Sequence, residues 1–222
     1  MVKNYMEILY DNETIHTPRL ILRKFRKSDA PDVFEWASDE VTVKWLTIEA
    51  KKTVDESVDS IVNYFWSRPG IYAIELRETV KSDSAEGNIV SPYNRLEFPS
   101  ERPGLNHNAG NINCNQSSKC IGCIDLRLKP DHEKAKFGYV LNRAFWNNGY
   151  MTEALSAVIA FCFEKLQLNR VESTYYVGNE ASGRVMEKAG LRREGLAVGQ
   201  EKIKGIFHDL VHLGITREQY FA

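Results

Sequence analysis

The stretch from Lys136 to Leu166 constrains this chain more than any other. It holds a run of strand-forming residues, then the polar turn Trp146-Asn147-Asn148-Gly149-Tyr150-Met151-Thr152, then a long apolar helix. In that helix Met151, Ala154, Leu155, Val158, Ile159, Cys162, Phe163 and Leu166 recur at helical spacing and make a broad face that must pack on a sheet. The first turn of a helix presents N–H groups with no intrahelical acceptor and the positive end of the helix dipole, so a turn of this kind can hold a phosphate without a dedicated cation. An ordinary strand–helix unit with no ligand has the same local pattern.

The flanking sequence supplies the sheet. Thr17 to Phe25 reads as a first strand, apolar residues alternating with basic ones. Ser28 or Asp29 caps a short helix whose Val33, Phe34, Trp36 and Ala37 face inward, with Pro31 in its first turn. Thr53-Val54-Asp55-Glu56 has the form of a capping box and opens a helix with Val54, Val58, Ile61, Val62 and Phe65 as its inward stripe. Ile71 to Leu76, Lys119 to Leu128, Ala135 to Leu141 and Arg170 to Val177 read as strands. A helix begins at Asn179 or Ser182 and stops at Gly190, and Leu191 to Ala197 with Phe207 to Thr216 close the chain as a strand pair. From Thr79 to Ser118, Asn, Ser, Gly, Pro and Glu predominate with no sustained period. Too few apolar residues lie there to build a second core, so the expectation is a mobile insertion at 79–118 within one domain spanning 1–222.

Charge and cysteines narrow the function classes. Lysine plus arginine number 29 against 30 aspartate plus glutamate, a net charge of -1, which excludes a global attraction to nucleic acid or anionic membrane. Met1 to Asp11 lacks a basic segment followed by an apolar run, and no window approaches the roughly 20 apolar residues of a membrane span, so a soluble cytoplasmic protein is expected. Cys114, Cys120 and Cys123 raise the question of zinc, for which only His107 lies near enough to complete a set. Cys120 and Cys123 on one strand point to opposite faces, so reduced, partly buried thiols, Cys162 included, are expected and no metal. His16, His132, His208 and His212 show no metal spacing.

Gly138-Tyr139-Val140-Leu141, the turn from Trp146 to Thr152 continued by Glu153-Ala154, Asn179-Glu180-Ala181-Ser182 and Glu187-Lys188-Ala189-Gly190-Leu191 together resemble the GNAT acetyltransferase superfamily, nearest its RimJ/RimL-like ribosomal-protein N-acetyltransferase branch. The resemblance runs from about Thr17 to Gln219, interrupted at Thr79 to Ser118. It implies a mixed α/β (α+β) fold with a mostly antiparallel central sheet, a splayed strand pair and flanking helices. It also implies acetyl transfer from acetyl-CoA, as acyl-donor co-substrate, to a primary amine. On this resemblance the pantetheine lies along the main chain at Val140 and Leu141, one of whose N–H groups stabilises the carbonyl oxygen. The pyrophosphate rests on the turn formed by Trp146, Asn147, Asn148, Gly149, Tyr150, Met151 and Thr152, in agreement with the anion-site physics of such a turn.

Acyl transfer needs a neutral amine and a protonated leaving thiol. Ser182 matches the serine proposed as acid to the thiolate in RimL-like enzymes, Asn179 an asparagine that contacts the pantetheine, and Glu201 a glutamate proposed to deprotonate the amine through water. Helix capping is the alternative for Asn179 and Ser182, and plain surface exposure for Glu201. Three positions depart from the family pattern. Trp146 stands where Gln or Arg is usual, though tryptophan is common there in the RimJ/RimL-like branch, and Met151 stands where Gly or Ala is usual; a larger side chain there can narrow the approach to the phosphate, and the expectation is retained binding with a shifted packing partner. Lys136 replaces a common acidic residue, which leaves Glu201 or, more weakly, Asp125 as base. Trp36, Trp45 and Lys44 are acceptor-contact candidates or core residues. The acceptor is the N-terminal amine of a protein or peptide, or a small-molecule amine, and a homodimer is left open. The alternatives of another class are a non-catalytic acyl-CoA-binding protein of the same fold and a metal or nucleic-acid module built on the cysteines and the insertion.

Overall fold

Helices and strands of this protein, seen in a computed structural model that describes residues 4–77 and 118–222, are arranged about one twisted sheet. The elements in chain order are α1 (Tyr5–Asp11), β1 (Ile15–His16), β2 (Leu20–Arg23), α2 (Ala30–Ala37), α3 (Glu40–Val43), α4 (Val54–Ser60), β3 (Ile71–Leu76), β4 (Cys120–Lys129), β5 (Lys134–Leu141), α5 (Tyr150–Glu164), β6 (Arg170–Tyr176), α6 (Glu180–Lys188), β7 (Arg192–Ile203), β8 (Ile206–Thr216) and α7 (Arg217–Phe221). Eight strands run in the order β1-β2-β3-β4-β5-β6-β8-β7. Every pairing is antiparallel except that of β5 with β6. The stretch 79–117 of the expected insertion lies outside the described residues.

Each face of the sheet has its own core. On one, α5 buries Leu155, Val158, Ile159 and Cys162 with Ile124 and Leu126 of β4, Phe137 of β5 and Val171 and Tyr175 of β6, and α1 and α6 join through Leu9 and Met186. On the other, Val33, Trp36 and Ala37 of α2 pack with Phe25, Ile61, Ile71, Ala73, Cys120 and Cys123. Burial of this kind is worth roughly 1.5–3 kcal/mol for each large apolar side chain, which fixes both helix layers against the sheet.

Three local features differ from the sequence expectation. Cys120 and Cys123 lie in the same core and not on opposite faces. Ile74 pairs with Gly122 but Glu75 pairs with Cys120, so β4 carries one extra residue there, and such a bulge reverses the alternation. Asp29 is the N-cap residue of α2, but its side chain makes no capping bond; its carboxylate receives Arg23 Nη1 and Nη2, both at 2.8 Å, in a buried network that also includes Glu75. The strand expected to end at Ala197 continues to Ile203 across a second irregularity between Ala197 and Glu201. Thr53 caps α4 as expected, accepting from Glu56 N, and the chain runs on through one π-helical turn to Phe65.

Candidate functional site

A gap opens in the middle of the sheet. β5 and β6 pair only at Lys134 with Arg170, Ala135 with Val171 and Lys136 with Glu172, and then diverge. At the fork Ser173 Oγ donates to Phe137 O at 2.6 Å, a buried side-chain bond standing in for the next rung of the ladder. Beyond the end of β5, Asn142 N donates to Ile121 O, in the chain segment of β4, at 2.8 Å. Successive peptide groups of a strand alternate sides, so those of Tyr139 and Leu141 face the gap with Phe137, and those of Gly138 and Val140 face β4.

The gap leads to the start of α5. The turn is bent by Asn147 at φ 62° and Gly149 at φ 77°, both left-handed, a conformation that asparagine and glycine tolerate. Trp146 Nε1 donates to Leu141 O at 2.8 Å, and Asn148 Nδ2 donates to Trp146 O at 2.9 Å, which ties the turn back onto the end of β5. Gly149 is the N-cap of α5, and no side chain caps that helix. Glu153 N makes the bond to Gly149 O at 3.0 Å, so the amides of Tyr150, Met151 and Thr152 precede the first rung of the helix ladder. The Met151 side chain is 4 % exposed and packs into the α5 core. Its bulk therefore falls on the side of the helix away from solvent, with the α5 core as its packing partner.

A guanidinium buttresses this turn. Arg19 Nη1 donates to Asn148 O at 2.9 Å, and its Nε donates to Glu153 Oε2 at 2.6 Å. Its Cζ lies 4.6 Å from the centre of the Tyr150 ring. Glu153 also accepts from Arg19 N at 2.8 Å and from Thr17 Oγ1 at 2.7 Å. The first-turn carboxylate of α5 is thereby neutralised by β2-side groups, which leaves the helix end electropositive.

Two further groups of side chains flank the gap on opposite faces. On the α5 face, Ser182 in the first turn of α6 meets Tyr139 of β5. The phenol donates to Ser182 O at 2.8 Å and lies 2.9 Å from Ser182 Oγ, and burial pushes the Tyr139 ionisation up. Asn179 is the N-cap residue of α6, and its side chain makes no capping bond. On the α2 face, Tyr176 at the end of β6 donates to Glu201 Oε2 at 2.7 Å. Burial and the neighbouring Glu201 carboxylate raise the Tyr176 phenol. The Trp45 ring stacks with Tyr176 at 6.1 Å, and the His208 ring meets both edge-on at 5.7 Å. Lys44 Nζ lies 4.9 Å from the Trp45 ring centre. Lys204, in the β7–β8 turn, donates to Val43 O at 3.5 Å and pairs with Glu49 at 3.7 Å, which ties the hairpin to α3. An open cavity of about 410 Å³ lies where α2 meets the end of β5, lined by Glu35, Asp39, Asn142, Arg143 and Ala144.

The family model described as an acetyltransferase (GNAT) domain covers residues 19–192. The chain belongs to the GNAT acetyltransferase family. The N-acetyltransferase p20 of Bacillus licheniformis, itself uncharacterized, is 25 % identical over 209 residues, which are 94 % of this chain and 98 % of p20. YdaF of Bacillus subtilis (strain 168), provisionally named a ribosomal N-acetyltransferase, is 36 % identical over 100 residues, 45 % of this chain and 55 % of YdaF. Among solved structures, the microcin C7 self immunity acetyltransferase MccE in complex with acetyl-CoA and AMP shares the fold with a TM-score of 0.65 at 14 % identity, covering 90 % of this chain and 93 % of that one.

In this GNAT acetyltransferase the residues singled out from sequence fall into three places. Val140, Leu141 and the turn from Trp146 to Thr152 are contiguous along the gap and the α5 start, with Leu141 and not Val140 presenting its peptide to the gap. Asn179 and Ser182 stand on the α5 face, and Glu201 stands on the other with Trp45 and Lys44. Trp36 is core, 2 % exposed. Asp125 is held by Arg68, by Tyr64 Oη at 2.8 Å and by Arg127 at 3.4 Å, an ion-pair member rather than a free carboxylate. Arg19, Thr17, Tyr139, Tyr176 and His208 were missed as site residues; each meets a partner far away in sequence, and only Tyr139, inside a quoted motif, carried any signal. Cys120, Cys123 and Cys162 are buried thiols, and burial pushes Cys120 up to about 12. Cys114 and His107 lie outside the described residues, and among those described no cluster of three or more His, Cys, Asp or Glu side chains is arranged to hold a metal.

Proposed function

We propose that this acetyltransferase takes acetyl-CoA as donor and a primary amine as acceptor, and that the gap between β5 and β6 is the passage in which the two meet. The observation that carries this reading is the continuity of the parted strands with the uncapped first turn of α5. The turn fits a pyrophosphate: left-handed residues at Asn147 and Gly149 aim the amides of Tyr150, Met151 and Thr152 outward, and Arg19 holds the turn in that shape. The Tyr139 and Leu141 peptides fit an extended pantetheine amide chain, and the Leu141 N–H is the better placed donor to a developing oxyanion because the Val140 peptide faces β4. Asn179, the N-cap residue of α6, is assigned the pantetheine contact that the family resemblance implies.

The opposed placement of Ser182 and Glu201 suits the proton economy of acyl transfer. Donor and acid sit on the α5 face, while base and amine sit on the α2 face, so the amine attacks through the gap. Glu201 receives the amine proton through water while Tyr176 orients its carboxylate, and Ser182 protonates the departing thiolate. Trp45, Tyr176 and His208 form an aromatic wall beside that base and shape the acceptor pocket. Protein N-terminal amines are favoured by the likeness to the RimJ/RimL-like branch and to YdaF, and a small-molecule amine is the other acceptor class. The reading takes 1–222 as one acetyltransferase unit acting in the cytoplasm; no helix among the described residues is long and apolar enough to cross a membrane.

The test is acetyl-CoA-dependent release of CoA thiol with a panel of free-N-terminus peptides and small amines, beside calorimetric binding of acetyl-CoA. Saturable binding with turnover of one acceptor is the expected result. Absence of acetyl-CoA binding refutes the donor assignment, and binding with no turnover across the panel refutes catalysis in favour of an acyl-CoA-binding protein.

A further inference from the structure

Ser182 is fixed from both strands that border the gap. From β6, the Tyr175 ring occupies the space that any side chain at Gly183 would need. A Cβ built there falls 2.7 Å from the ring, so only glycine lets the first turn of α6 settle against that strand. From β5, the Tyr139 phenol reaches the same turn and touches both oxygens of Ser182, the carbonyl at 2.8 Å and Oγ at 2.9 Å.

A phenol has one hydrogen to give and lone pairs with which to accept. Two hydrogen arrangements therefore fit the same heavy atoms. In one, Tyr139 donates to the Ser182 carbonyl and the serine hydroxyl donates to the phenol oxygen. In the other, Tyr139 donates to Oγ and the serine hydroxyl turns its hydrogen out into the gap. Rotation about the phenol C–O bond and the serine Cβ–Oγ bond interconverts them, with no movement of heavy atoms. Burial raises the Tyr139 ionisation, so the hydrogen is present at neutral pH in both arrangements.

We propose that Tyr139 is the positioning residue through which Ser182 delivers its proton to the departing thiolate, an inference that rests on the acetyl-transfer reading above. Once the amine has formed the C–N bond, the C–S bond breaks and its electron pair goes to sulfur. The Ser182 proton passes to that sulfur while the Tyr139 O–H donates to Oγ and stabilises the alkoxide that forms. Ser182 regains a proton from solvent water, and the amine proton taken up by Glu201 leaves to solvent. One proton has moved from nitrogen to sulfur, and both side chains end as they began.

The experiment is a double-mutant cycle of Tyr139→Phe and Ser182→Ala with two readouts. In steady-state turnover, Tyr139→Phe is expected to lower kcat about tenfold with the acetyl-CoA KM unchanged, and Ser182→Ala to lower it about 100-fold. The double variant is expected to equal Ser182→Ala alone. A double variant that shows the product of the two losses, or a Tyr139→Phe that raises KM at wild-type kcat, overturns the inference. The second readout needs no turnover: the pKa of the thiol of bound CoA, followed by ultraviolet difference absorbance of the thiolate. A serine hydroxyl aimed at sulfur stabilises the thiolate, so the wild type holds this pKa below that of either single variant, and both singles and the double agree. A Tyr139→Phe value equal to wild type overturns the inference, whereas a wild type that binds CoA and acetylates no amine overturns the functional reading and leaves this titration able to decide. Replacement of Tyr139 by 3-fluorotyrosine keeps the ring and its packing while making the phenol more acidic. The alkaline limb of the bound-thiol titration is expected to move to lower pH, and an unmoved limb overturns the inference.

Discussion

Gly149→Val is the most informative perturbation of the α5 start. Gly149 sits at φ 77°, where an L residue costs about 1–2 kcal/mol and a β-branched one at least that much. A Cβ there lies 3.4 Å from Arg19 Nη2, the guanidinium that already holds Asn148 O, so the side chain presses on the buttress as well as on the backbone. For a chain of this length about 1–2 kcal/mol corresponds to a Tm lower by roughly 2–8 °C, and the fold survives. Relief of the strain moves the turn and misdirects the amides of Tyr150 to Thr152. Losing one hydrogen bond to a charged phosphate is worth about 1.5–3 kcal/mol, which raises the acetyl-CoA Kd by about 10- to 150-fold. The control is Gly205→Val, at φ 86° in the β7–β8 turn with nothing within 4 Å of its Cβ, which carries the same backbone strain far from α5. Isothermal titration of acetyl-CoA and thermal unfolding of both variants separate the effects. Similar losses of Tm with weakened binding only in Gly149→Val are expected; equal Kd values in the two variants would refute the reasoning.

Other consequences are as direct. Glu201→Gln should lower kcat about 100-fold or more with little change in acetyl-CoA KM, and wild-type turnover would reduce Glu201 to a partner of Tyr176. Glu153→Ala removes the acceptor of Thr17 Oγ1, Arg19 N and Arg19 Nε together, and should raise the acetyl-CoA Kd about tenfold by loosening the Asn148 turn; calorimetry showing the wild-type Kd would contradict the buttress. Arg23→Met removes the buried cation between Asp29 and Glu75, leaving Asp29 the Arg26 N–H and Glu75 only Arg26 Nη1 at 3.6 Å, and should cost about 3–5 kcal/mol in urea unfolding, while a loss under about 1 kcal/mol would show the network to be dispensable. Cys120, Cys123 and Cys162 are buried and held as thiols, so mass spectrometry should find them unalkylated in the native protein at pH 8 and alkylated in urea; rapid native labelling of any of the three would contradict the packing.

The parts of the fold legible in the sequence are those set by neighbours along the chain. The α5 helix, its glycine start and the strand before it follow from local periodicity and from residues that tolerate left-handed backbone, Asn147 and Gly149. What escaped is set by partners far away in sequence. The bulge in β4 arises from its register with β3, and no alternation rule applied to Cys120 and Cys123 could find it. Glu153 looks like a first-turn acid on α5, yet its role is decided by Thr17 and Arg19, more than 130 residues earlier. The packing partner of Met151 was not legible because a motif records which side chain is usual, not which way it points; the helix turns it into the core. Ser182 and Glu201 were named from sequence, but that they stand on opposite faces of one gap is a property of strand alternation in three dimensions.

The central claim is that the parted strands and the α5 start form one acetyl-CoA site. A crystal structure of the protein with CoA tests it most directly. The account predicts pyrophosphate oxygens within about 3 Å of the Tyr150 to Thr152 amides. It also predicts pantetheine between β5 and β6 against the Tyr139 and Leu141 peptides, with sulfur facing Ser182 Oγ. CoA bound with its pyrophosphate in the cavity of Glu35, Asp39 and Arg143 and the gap left empty would contradict it.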